Sequence, residues 1–117
     1  MPNITVEFSS ALDHVDWSGF ARELHPVIVE TAAARLEACK TRTLRTQDDV
    51  VGAGGEGHAI VNVSIALLAG RTDETKARLT ESTLELLRKY LEPADGRALH
   101  VSAEVRDLDP SYRKFEA

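Results

Sequence analysis

The run from His58 to Ala69 constrains this chain more than any other segment. It carries Ile60, Val61, Val63, Ile65, Leu67 and Leu68, so apolar side chains fall on both faces over much of its length. Such a strand is expected at the centre of a sheet. Four glycines in the six positions Gly52 to Gly57 precede it and read as a turn between strands. No Gly-Lys-Ser/Thr follows them, so they are not a phosphate-binding loop.

The other segments arrange themselves around that strand. Ile4, Val6 and Phe8 alternate with Thr5, Glu7 and Ser9, the period of a half-buried strand. Asp16 is placed to cap a helix from Trp17, with Leu24, Val27, Ile28 and Leu36 near helical spacing. Pro26 is expected to kink or divide that helix. Thr41, Thr43, Leu44, Thr46, Val50 and Val51 favour extended chain between Cys39 and Val51. A second helix runs from Thr72 to Leu91, capped by Thr72 or Asp73 and closed by Pro93. Leu79, Thr83, Leu86, Leu87 and Tyr90 mark one of its faces. Leu99, Val101, Ala103 and Val105 read as a last strand, from Arg97 to Val105.

The order is strand-helix-strand, twice, without evident sequence identity between the halves. Two parallel βαβ units cross over with one hand and put both helices on one face of the sheet. The expected fold is α/β (α+β): a four-stranded mixed sheet in one domain spanning residues 1–117. The free sheet face is expected to be apolar and closed by oligomerisation, a trimer being one solution.

Composition removes several functions. At 117 residues the chain is too short for a dinucleotide-binding domain plus a substrate domain, or for a (β/α)₈ barrel. A net charge of -5 argues against a general nucleic-acid binder, and 5% aromatic residues give little base stacking. The single cysteine, Cys39, excludes an internal disulfide and a multi-cysteine zinc site; a small buried residue is the expectation. His14, His25, His58 and His100 form no i, i+4 pair, so no metal is expected and all four read as surface or packing residues. No segment has the ~20 apolar residues of a membrane span, and the N-terminus lacks the pattern of a signal peptide. A cytoplasmic protein follows as the default.

Pro2 carries the most distinctive chemistry. A small second residue normally leads to removal of Met1, which frees a secondary amine on Pro2. That amine acts as a general base when its pKa lies near the working pH. An apolar pocket and neighbouring cations both lower it. A Met-Pro start alone says little, since most such prolines do nothing chemical.

The surrounding segments add meaning. Met1 to Phe8, Lys40-Thr41-Arg42, Gly70-Arg71-Thr72 at the second helix, Val101 to Val105, and Asp109-Pro110 follow one another along nearly the whole chain. In this order they resemble the tautomerase superfamily, and within it the 5-carboxymethyl-2-hydroxymuconate isomerase family. The resemblance implies a homotrimer built on a β-α-β repeat, with the N-terminal proline transferring a proton. The implied substrate is a small-molecule carboxylate, a 2-hydroxydienoate from aromatic acid catabolism. No metal or organic cofactor is implied.

The resemblance assigns substrate binding to Lys40, Arg42 and Arg71. Arg71 at a helix entrance suits a bidentate carboxylate clamp, though taken alone it reads as a solvated loop arginine. Lys40 and Arg42 share one strand face and can hold a second carboxylate or polarise the 2-oxo group. Alone, they read as an exposed edge. Lys40 stands where the family usually carries Arg, and lysine lacks the bidentate fork. Tyr112 and Phe115 read either as an apolar pocket wall or as simple packing. The competing functions are a non-catalytic trimeric binding module that keeps the fold without the amine chemistry, and an enzyme of the same fold acting on a different unsaturated carboxylate.

Overall fold

Alternation of Ile4, Val6 and Phe8, all buried, with Asn3, Thr5 and Glu7 forms strand β1, Asn3–Ser9. In this computed structural model, which describes residues 1–91 and 96–117, three further strands follow. They are β2, Lys40–Thr46, β3, His58–Leu67, and β4, Ala98–Asp107. Helix α1, Trp17–Ala32, lies between β1 and β2, and helix α2, Asp73–Leu91, between β3 and β4.

The sheet order is β2-β1-β3-β4. β1 pairs with β2 in parallel, β3 with β4 in parallel, and β1 with β3 antiparallel. The chain is therefore two βαβ units joined through their first strands, with β3 inside the sheet as its apolar run requires.

One face of the sheet holds the core. Ile4, Val6, Val61, Val63 and Ile65 are fully buried against Phe20, Leu24 and Ile28 of α1 and Leu79 and Leu87 of α2. Each of these larger side chains contributes about 1.5–3 kcal/mol by leaving water. Stacked Phe8 and Trp17 rings (4.9 Å) continue edge-on through Phe20 to Tyr90, linking β1 to both helices.

The local signals act as their chemistry dictates. Asp16 accepts a hydrogen bond from the Gly19 N–H at 2.9 Å and caps α1. Thr72 Oγ1 accepts from the Thr75 N–H at 3.1 Å and caps α2. Pro26 neither divides α1 nor ends it. Pro26 and Arg22, four residues earlier, are both exposed, so the carbonyl that proline leaves unbonded faces water. The helix stops at Ala33, which takes the left-handed conformation (φ 55°), and Leu36 falls outside it, in a short 3₁₀ turn.

Three other expectations change. β2 ends at Thr46, leaving Val50 and Val51 in the loop before the glycines. β3 ends at Leu67, so Leu68 and Ala69 belong to an exposed loop. The free sheet face is polar rather than apolar. The register aligns Arg42 with Thr5, Ser64 and Glu104, and Leu44 with Glu7, Asn62 and Ser102, while Lys40 is opposite Asn3 and Thr46 opposite Ser9. Ile60 and Leu44 are its main apolar members. The expected closure of α2 by Pro93 lies outside the described residues.

Candidate active site at one end of the sheet

The strand register gathers the expected site residues at one end of the sheet. Asn3 is opposite Lys40 on one side and Ala66 on the other, so Pro2 sits where β2 begins and β3 ends. Pro2 is buried, and its carbonyl accepts from the Lys40 backbone N–H at 3.2 Å, which extends the parallel ladder past Asn3. The loop from Leu68 to Arg71 leaves β3 at this same end. β4 also arrives there, with the Leu108 N–H donating to the Leu67 carbonyl at 2.6 Å.

The chain's amino group is part of this cluster. The Met1 amine donates to the Ala38 carbonyl at 3.1 Å, and the Lys40 Nζ donates to the same carbonyl at 3.4 Å. Partial burial, then the charges of Lys40 and Lys114, push the Met1 amine below its ordinary pKa, with Cys39 and Glu116 acting weakly the other way. The end of β1 thus disfavours a protonated amine.

Lys40 and Arg42 both occupy the sheet face turned away from the helices. Thr41, between them, faces α1, where its Oγ1 meets His25 Nε2 at 2.7 Å. Arg42 lies one pleat repeat farther from the N-terminus, about 6.6 Å along the strand. It is exposed, and its side chain makes no ion pair or hydrogen bond with another described residue.

Arg71 is already engaged. Its Nε donates to the Ala32 carbonyl at 2.9 Å and its Nη1 to the Leu68 carbonyl at 3.2 Å. A guanidinium at the C-terminal end of α1 satisfies a carbonyl that the helix leaves open and complements its dipole. Its Nη2 donates to no described residue, so donors of the guanidinium stay available to an anion.

Cys39 is buried, its Sγ 3.5 Å from the Arg35 carbonyl, and burial pushes its thiol pKa up. It is a packing residue and a poor nucleophile. Tyr112 is half-buried, whereas Phe115 is almost fully exposed and packs on little in one chain.

Two contacts are not readable from the sequence. His58 Nδ1 and His100 Nε2 meet at 3.0 Å across the ends of β3 and β4, a pairing that needs the strand register to be known. The tail residue Glu116 reaches Lys40, its Oε2 lying 3.4 Å from Lys40 Nζ and 3.5 Å from Lys114 Nζ. No group of three or more metal-ligating side chains occurs among the described residues. No described helix is long and apolar enough to cross a membrane. Two surface hollows, of about 140 and 270 Å³, lie at the far end of β1 and between the helices; neither is lined by Pro2, Lys40, Arg42 or Arg71.

Comparison with known proteins bears on the family and the fold. The family model for 5-carboxymethyl-2-hydroxymuconate isomerase matches residues 2–116. A 5-carboxymethyl-2-hydroxymuconate Delta-isomerase from Escherichia coli is 24% identical over 113 residues, covering 95% of this chain and 90% of the relative. The crystal structure of a 5-carboxymethyl-2-hydroxymuconate isomerase from Deinococcus radiodurans R1 superposes with a TM-score of 0.85 at 21% identity, over 98% of this chain and 90% of that one. A fused 4-OT wild-type symmetric trimer superposes with a TM-score of 0.76 at 25% identity, over 93% of this chain and 88% of that one. With its tautomerase-type sheet and a match running almost end to end, the chain belongs to the 5-carboxymethyl-2-hydroxymuconate isomerase family and is an isomerase of that family.

Proposed function

We propose that this isomerase works through the Pro2 amine, freed by removal of Met1, on a 2-hydroxydienoate bearing more than one carboxylate. The observation that carries the reading is the environment of the N-terminus. Pro2 is buried at the end of β1, and the adjacent amine is pushed toward its neutral form by burial and two lysines. A neutral secondary amine there accepts the proton of the substrate's 2-hydroxyl. The electron pair of the O–H bond forms the C=O, the dienol double bonds shift, and the distal carbon takes the proton back from the ammonium. The amine ends as it began, and no metal or organic cofactor enters the step.

The cations are assigned by position. Lys40, nearest the amine, faces the oxygen on which charge develops and the carboxylate beside it; toward that oxygen a fixed cation favours the transition state over the ground state. Arg42 and the free Nη2 of Arg71 bind carboxylates. A substrate such as 5-carboxymethyl-2-hydroxymuconate, the compound named for the Escherichia coli relative, has the charge to engage all three.

A homotrimer is part of the proposal. β2 and β4 are edge strands, whose unpaired backbone groups need a cover. The fused 4-OT relative is a symmetric trimer. A cytoplasmic location is proposed as well, compatible with one free, buried thiol.

The test is intact mass together with ketonisation of 2-hydroxymuconate, followed by ultraviolet absorbance. The expected result is a mass lacking Met1 and turnover that Pro2→Ala reduces by at least about a hundredfold, the scale of a lost general base. A retained Met1 turns the Pro2 nitrogen into an amide without basicity. Retained Met1 with no turnover would leave the non-catalytic binding module as the reading.

A further inference from the structure

The C-terminal segment comes back to the active end of the sheet. After β4 the chain turns at Asp109, whose carbonyl accepts from the Tyr112 N–H at 2.9 Å and whose side chain accepts from the Ser111 N–H at 2.8 Å. Arg113 Nη1 braces the turn by donating to the Pro110 and Tyr112 carbonyls. Lys114 and Glu116 then reach the start of β2.

There, two ammonium groups converge on one carboxylate oxygen. Glu116 Oε2 lies 3.4 Å from Lys40 Nζ and 3.5 Å from Lys114 Nζ. Lys40 also donates to the Ala38 carbonyl, which holds the N-terminal amine. The N-terminus, two lysines and one glutamate therefore form a single connected cluster.

We infer that Lys40 and Lys114 form a carboxylate seat beside the reacting amine, that Glu116 fills this seat in the free protein, and that a substrate carboxylate displaces it. Two cations held this close repel each other unless an anion lies between them. Glu116 is that anion, tethered by the chain. Its ion pairs are more than half exposed, and pairs of this kind are weak and easily exchanged. A multiply charged substrate offers the same contact plus those to Arg42 and Arg71. Lys114 thereby becomes a substrate-binding residue, and Glu116 a built-in competitor that raises the substrate concentration the enzyme needs.

The charge states agree with this. Lys114, then Lys40, hold the Glu116 carboxyl below the usual carboxylate range, so it is ionised at neutral pH. The same two lysines help to lower the pKa of the terminal amine. Displacing Glu116 by substrate keeps a negative charge in the seat, so the amine's surroundings change little on binding.

The inference rests on the proposed reading for its place in turnover, whereas the seat itself is tested by binding alone. The probe is cis,cis-muconate, a dicarboxylate without the 2-hydroxyl and so unable to ketonise, titrated into the full chain by calorimetry. Glu116→Gln is expected to tighten binding, and Lys114→Gln to weaken it, each by about fivefold, the size of one exposed charge pair. Both effects should shrink as salt rises. Unchanged affinity in both variants, or weaker binding in Glu116→Gln, overturns the seat. The expected muconate shifts without ketonisation of 2-hydroxymuconate uphold the seat and overturn the amine reading. Ketonisation through Pro2 with no muconate shifts overturns the seat alone.

Discussion

The Arg71 guanidinium donates to the Ala32 carbonyl at 2.9 Å, across 39 positions of sequence. The contact ties the loop after β3 to the last residue of α1. One side chain thus completes a helix end and carries an assigned anion-binding group. Arg71→Ala is expected to lower stability by about 1–3 kcal/mol, the range for losing a hydrogen bond from a charged donor. It should also raise KM for the dicarboxylate. Urea unfolding and steady-state kinetics separate the two effects. Arg71→Lys should recover part of the stability and less of the KM, because lysine keeps the charge without the fork.

At the other end of β1, Ser9 stands in for a missing strand partner. Its Oγ accepts from the Ile60 N–H at 2.7 Å and donates to Asp49 in a short hydrogen bond, while Thr46 Oγ1 donates to the other Asp49 oxygen at 2.7 Å. Ser9→Ala leaves the Ile60 N–H unpaired and is expected to cost about 1–3 kcal/mol in denaturant unfolding.

The same hydrogen bonds give a pH dependence. Ser9, then Thr46, hold the Asp49 carboxyl below its ordinary value of 3.8. A folded-state pKa below the unfolded one means the unfolded chain binds the proton first. The contribution of Asp49 is therefore complete above about pH 4 and is lost as pH falls through the folded value. Asp49→Asn should remove that part of the acid limb, measured as stability against pH between 2 and 7, and leave the remaining slope in place.

Several of these features are legible in the amino-acid sequence. The alternation of Ile4, Val6 and Phe8, the Asp16 cap and the apolar run of β3 follow from side-chain period and local hydrogen-bond chemistry, and each appears where that chemistry puts it. Pro26 misleads because a proline's cost depends on whether the freed carbonyl meets water, which requires knowing which way the helix faces. The free sheet face misleads because the apolar run of β3, taken by itself, hides its neighbours. Its outward residues include Asn62 and Ser64, and the residues across the sheet from them are Glu7 and Thr5 on one side and Ser102 and Glu104 on the other. For the site, the family motifs bring Pro2, Lys40 and Arg71 to one end. Lys114 and Glu116 stay hidden because Glu116 reaches Lys40 only through the path of the chain after β4.

Ala33 is the one non-glycine residue with positive φ among those described. It closes α1 in the left-handed conformation at φ 55° and is exposed. Glycine adopts that conformation without the Cβ clash. Ala33→Gly is expected to raise stability by about 1 kcal/mol, the cost of an L-residue in that region. The urea midpoint should increase with an unchanged slope.

Lys40 and Arg42 share a face but not a role. Lys40 touches the N-terminal cluster, and Arg42 stands one pleat repeat away. Arg42→Ala should mainly raise KM, by about tenfold, as expected for uniform binding. Lys40→Ala should lower kcat as well and shift the acid limb of the pH–rate profile upward, because a charge that holds the amine neutral is gone.

The proposed chemistry turns on one nitrogen, that of Pro2. Nitrogen-15 labelling at proline and NMR titration of the mature protein read the protonation of Pro2 directly, alongside kcat/KM over the same pH range. The Pro2 nitrogen is expected to titrate well below an ordinary secondary amine, with kcat/KM rising through the same pKa. An amide-like Pro2 nitrogen that does not titrate, or a rate profile that ignores its titration, would contradict the proposed chemistry.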